Sequence, residues 1–217
     1  MLNRSSFSYT LILFLRYYEG VVFSEEITAP FLYGKGISMK TKKHLLNVAL
    51  SGMFLALAYV FPFFTGQIPE IGSMLCPMHI PVLLCGFVCG APYGLLVGFV
   101  APSLRSVTLG MPPLFPTATA MAFELAIYGL IAGLLYKVLP KKKINIYISL
   151  IGAMIVGRIV WGTVMFCVMG FDVTKFGFAA FWAGAIVNAV PGIIAQIILI
   201  PMVVMVLEKA NLISNKK

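Results

Sequence analysis

From residue 39 onward the chain alternates long apolar runs with short breaks that carry most of its polar residues. The first run covers about Leu45–Phe64. The next, Leu75 to Val107, is too long for one helix, and Gly90-Ala91-Pro92 divides it, because glycine and proline punctuate helices. Two short spans result, near Pro77–Cys89 and Pro92–Val107. The fourth run is about Phe115–Leu139, the fifth Ile144–Met169 and the sixth Phe178–Leu207. A helix crosses a bilayer in about 20 apolar residues. The pattern therefore predicts an all-α integral membrane protein, a bundle of six transmembrane helices occupying residues 39–217.

Residues 1–38 follow a different pattern. Their one apolar run, Tyr9 to Leu15, is far short of a span, and no small-residue cleavage site follows it closely, as a signal peptide would need. At Met39 a basic start, MKTKKH, leads directly into the first span. The expectation is an N-terminal extension over 1–38, either poorly ordered or upstream of a true start at Met39. The alternative is a short amphipathic helix lying on the membrane.

Composition agrees with the pattern. Hydrophobic residues make up 60% of the chain and charged ones 11%, against about 25% charged in soluble domains. The formal charge of +9 would suit nucleic acid if it were concentrated on one soluble face. Instead the lysines cluster at span ends, at Lys40–Lys43, Lys137–Lys143 and Lys209–Lys217, which is the pattern of cytoplasmic loops. Both termini are expected on the cytoplasmic side of the bilayer, and no nucleic-acid partner is expected.

The candidate chemistry lies in the few polar residues inside these runs. Glu124 stands in MPPLFPTATAMAFELAIYGLIAGLLY and Arg158 in IGAMIVGRIVWGTVMF. An ionisable group in hydrocarbon costs a few kcal/mol and is tolerated where it meets a partner or a cavity. At about 1.5 Å rise per residue, Glu124, Arg158 and Asn188 fall at similar depths in the outward half, with His79 and Arg105 nearer the outer surface. Gln196 reads as the exception, alone in the inward half. Helical spacing places Tyr128 beside Glu124, and Trp161 and Met165 on the face of Arg158. A pocket with aromatic walls and a few convergent polar groups is how small-molecule sites are built. An ion pair between Glu124 and Arg158 that merely pins two helices is the structural alternative. Gly52 and Ala56 form a small-xxx-small pair, as do Gly86, Gly90, Gly94 and Gly98 in series, and such spacing lets helices approach closely in lipid. Packing within the bundle is expected for the glycine series. For Gly52 and Ala56 a contact with another protein is equally expected. Four cysteines and two histidines supply no zinc ligand set, and no nucleophile–base pair is apparent. Neither catalytic residues nor a metal or cofactor is therefore expected.

The stretches GFVCGAPYGLLVGFVAPSLRS, AFELAIYGLIAGLLY and GAIVNAVPGIIAQIILIPMVVMVLEK occur in that order after the opening KTKKHLLNVALSGMFLALAYVF. In this order they resemble the S components of the energy-coupling factor (ECF) vitamin transporters, over Met39 to Lys209. The resemblance implies a six-helix subunit that captures a vitamin from outside and docks on a transmembrane coupling protein driven by two cytoplasmic ATPases. It also implies that the first helix meets the coupling protein through an Ala-xxx-Ala pattern. Here that pattern maps onto Gly52 and Ala56, which keep the small size. The implied pocket maps onto Glu124, Tyr128, Arg158, Trp161 and Asn188, with residues 67–73, and His79 joins them as a further polar residue of the outward half. The chain has no G-x-x-x-x-G-K-[ST] phosphate loop, so ATP hydrolysis would come from partners. One acid and one base suit a ligand with an anionic and a donor group, and pantothenate, a pyridoxine-like compound or a hydroxymethylpyrimidine would be compatible. The alternative function is a proton-coupled secondary transporter with Glu124 as the proton site, although such carriers usually show internal repeats.

Overall fold

The computed structural model describes residues 39–65, 74–140, 142–172, 174, 176–210 and 213. The expectations for residues 1–38 and for the loop 67–73 lie outside these. Two units are distinguished, residues 1–45 and 46–217. Among the described residues the first contains only the opening turns of a helix, and the second contains the bundle.

Seven α-helical segments are described: α1 (Met39–Val60), α2 (His79–Cys89), α3 (Ala91–Leu109), α4 (Thr119–Val138), α5 (Lys143–Val168), α6 (Phe178–Trp182) and α7 (Val190–Lys209). No strand occurs among the described residues. Four stretches are long and apolar enough to cross a membrane: Thr41–Phe64, Leu114–Val138, Lys143–Val168 and Val190–Lys209. This differs from six complete spans in three places: α3 is not among the four, α2 is too short, and the expected sixth span is broken. With 11 residues, α2 rises about 16 Å, roughly half the hydrocarbon thickness. The expected sixth span, Phe178–Leu207, is broken. It begins as the five-residue α6, widens into a π-type turn over Ala183–Val187 and resumes as α7. Pro191 lies at the start of α7. Proline lacks an N–H and its ring clashes with the carbonyl four residues earlier, here that of Val187, so one continuous helix is disfavoured.

The other boundaries also follow from local chemistry. Between α2 and α3, Gly90 has φ +98° and Pro92 stands in the first turn of α3. Glycine tolerates that φ, and proline fits where no N–H partner exists anyway. After α3, Gly110 takes φ +69° and its N–H donates to the Ser106 carbonyl, a left-handed helix end. Pro112, Pro113 and Pro116 then delay the next helix, with Phe115 held extended at φ −124° and ψ 131°.

At the centre of the bundle, α4 packs on α2, α3 and α5. Of its apolar window 56% is buried, against 17% for that of α1, so α4 is the central helix and α1 a peripheral one. Close approach depends on missing side chains. A Cβ on Gly86 would stand 2.5 Å, and one on Gly94 2.7 Å, from the Gly129 carbonyl oxygen, while one on Gly98 would run into the Leu125 backbone. The glycine series thus packs α2 and α3 against α4, except Gly90, which has open space around it. On the other side, α1 contributes Phe54 and Ala58 to a core shared with Val82, Cys85, Val97 and Leu125, and Asn47 Nδ2 donates to the Cys89 carbonyl at 3.3 Å.

This packing makes a prediction. Gly94→Val forces bulk against the α4 backbone, where overpacking costs typically 1–3 kcal/mol. Its melting temperature in detergent should fall clearly. Gly52→Ala is the control, because nothing lies within 4 Å of that position, and its melting temperature should be unchanged or slightly higher.

Candidate functional site

Glu124 lies on the second turn of α4 and is 1% exposed. Its Oε1 is 3.0 Å from Nη1 of Arg158 on α5 and 3.5 Å from Nε2 of His79, the first residue of α2. Glycine sets this geometry too. A Cβ on Gly157 would collide with the Tyr128 ring and stand 3.3 Å from the Glu124 carbonyl oxygen. The bare Cα lets α5 come close enough for its next residue, Arg158, to reach the carboxylate.

The segment entering α2 closes the cluster. Cys76 has φ +47°, and its carbonyl accepts the His79 N–H at 3.1 Å. Its sulfur lies 3.8 Å from Arg158 Nη2. The His79 ring meets Tyr128 edge-on with centroids 5.3 Å apart, and Tyr128 is fully buried. Glu124, Arg158, His79, Tyr128 and Cys76 therefore form one knot drawn from α2, α4, α5 and the segment before α2. A buried carboxylate needs a countercharge and further polar contacts to offset its desolvation. Arg158 supplies the charge.

The remaining candidates go elsewhere. Arg105 is buried but faces α1, donating from Nη1 to the Tyr59 carbonyl at 2.7 Å with its guanidinium 4.9 Å from the Phe63 ring centroid. Asn188 is exposed, because the break before α7 rotates it off the face a continuous helix would give, so it stands outside the buried knot. Trp161 joins an aromatic group instead, with ring centroids 5.7 Å from Phe176 and 6.4 Å from Phe181. That group borders an apolar lateral cleft of about 490 Å³, lined in part by Ile159, Gly162, Phe166, Phe178 and Phe181. Gly52 and Ala56 are both exposed on α1. Sequence reasoning missed Cys76 and the supporting role of Gly157. The proximity of Gly157 to Arg158 was the one available signal.

The family model of the ECF transporter substrate-specific component matches residues 46–204. This chain belongs to that family. The match includes every residue of the buried knot and both small residues on α1. No curated protein and no solved structure matches the chain. ECF S components are membrane-embedded transporter subunits, not enzymes, and pair with a membrane coupling component and ATPases. As a member of the family, the protein is a transmembrane, substrate-binding transport subunit.

Proposed function

We propose that this S component captures a small polar compound, a vitamin or a relative of one, on the outer face of the cell membrane. It then delivers the compound through a coupling protein and two ATPases. Both termini face the cytoplasm in this reading. The observation that carries it is the knot of Glu124, Arg158 and His79 beneath the start of α4. One ion pair would suffice to join α4 to α5, yet polar groups from α2 and the preceding segment converge on the same point. Such convergence is characteristic of ligand sites. The exposed Gly52 and Ala56 supply the small-residue face for the coupling protein. Mass spectrometry of small molecules released from the purified protein should identify one compound at near-stoichiometric amount. Vesicles containing this subunit with the coupling protein and ATPases should accumulate that compound only with ATP inside the ATPase compartment. Uptake by the subunit alone, driven by a proton gradient, would instead support the carrier in which Glu124 takes the proton.

A further inference from the structure

Gln196 is 1% exposed on α7, and neither its amide oxygen nor its amide nitrogen has a hydrogen-bond partner among the described residues. A buried amide left this way is unfavourable unless a group outside the described residues satisfies it. Its depth is fixed by two contacts. At one end of α7, Glu208 accepts a hydrogen bond from the Tyr136 hydroxyl of α4. At the other, a Cβ on Gly192 would stand 2.7 Å from the Met74 carbonyl oxygen and 2.8 Å from that of Leu75, directly before Cys76. The two helices therefore run in the same direction. Twelve residues separate Tyr136 from Glu124, and twelve separate Glu208 from Gln196. Gln196 thus stands at the depth of Glu124, not in a separate inner layer. It lies one turn from Gly192 on the same face, toward the segment that leads to Cys76 and His79.

Resting on the proposed function above, we infer that Gln196 is a specificity-determining residue of the substrate site and selects an uncharged ligand with an amide-type edge. Its amide offers one acceptor and two donors, which complement an adjacent N–H and C=O or ring nitrogen on a lactam, carboxamide or aminopyrimidine. The charge balance points the same way. Glu124 and Arg158 already cancel each other at 3.0 Å, so a charged ligand enclosed beside them would lose its hydration without gaining a free countercharge. This revises the sequence-based picture, in which acid and base were both open to an anionic ligand.

The test uses the full chain in detergent with defined probes. Nicotinamide, thymine, cytosine and 4-amino-5-hydroxymethyl-2-methylpyrimidine represent uncharged amide-type edges, and nicotinate, orotate and pantothenate their charged counterparts. Binding is read by calorimetry and by melting temperature, in wild type, Gln196→Met, Gln196→Leu and Arg158→Ala. The expected result is binding of at least one uncharged probe in preference to the charged set. Both Gln196 variants should weaken it at least tenfold without melting below wild type when empty, because each removes an amide that has no partner among the described residues. Binding confined to charged probes, no binding of any uncharged probe, or unchanged affinity in the two Gln196 variants would overturn the inference. Loss of binding in Arg158→Ala with normal binding in the Gln196 variants leaves the proposed site standing and removes Gln196 alone. The reverse pattern rejects the Arg158 site itself.

Discussion

Arg158→Ala and Glu124→Ala should each weaken binding of the compound that copurifies with the protein by at least tenfold, about 1.4 kcal/mol. The two groups face each other at 3.0 Å in a knot that includes His79 and Tyr128. If they serve only to join helices, removing one strands the other in a buried site and costs about 3–5 kcal/mol of stability. Removing both should then restore much of that loss and leave binding near normal. A substrate site gives a different result. The double variant regains stability for the same electrostatic reason but binds no better than either single variant. Melting curves and ligand titrations on all three decide between these outcomes. Near-normal affinity in the double variant would take both residues out of the site. His79 adds a distinguishing detail, because Glu124→Ala removes its carboxylate neighbour as well, whereas Arg158→Ala leaves that contact in place.

Gly52→Leu and Ala56→Leu should abolish ATP-driven uptake while ligand affinity stays within twofold of wild type. Both positions are exposed, four residues apart on α1, and no atom lies within 4 Å of a Cβ placed on Gly52. A side chain on this exposed face should therefore leave the bundle and the Glu124 knot undisturbed. In a complex where another helix must approach closely, the same leucine holds the backbones apart. Reconstituted vesicles report uptake, and copurification of the coupling protein reports assembly. Variants that bind ligand normally, assemble and still transport would show that this face is covered by lipid alone. Loss of ligand binding would show that α1 supports the site from within.

Much of this was legible in the sequence because hydrocarbon imposes severe constraints. Long apolar runs with lysines at their ends could only be membrane helices. An acid and a base inside two such helices had strong reason to meet, and Glu124 and Arg158 do. Four-residue glycine spacing implied close helix contacts, which Gly86, Gly94 and Gly98 make with α4. These readings depend on local periodicity or on a cost so large that few arrangements avoid it.

Tertiary structure decided the rest, where long-range contacts override local geometry. Treating Phe178–Leu207 as one helix placed Asn188 beside Arg158, but the turn over Ala183–Val187 and Pro191 breaks the helical phase and leaves Asn188 exposed. Trp161 shares a helix with Arg158 yet turns to Phe176 and Phe181, residues whose position depends on the loop after α5. Cys76 reaches Arg158 across 82 positions of chain, a contact that no spacing rule encodes. Gln196 was assigned to the inner half by counting along its own helix. The register of its helix depends instead on Glu208 against Tyr136 and on Gly192 against the segment before Cys76. The sequence by itself determined which residues must be buried and paired. The register between helices, fixed by contacts far apart in the chain, determined which of them share a site.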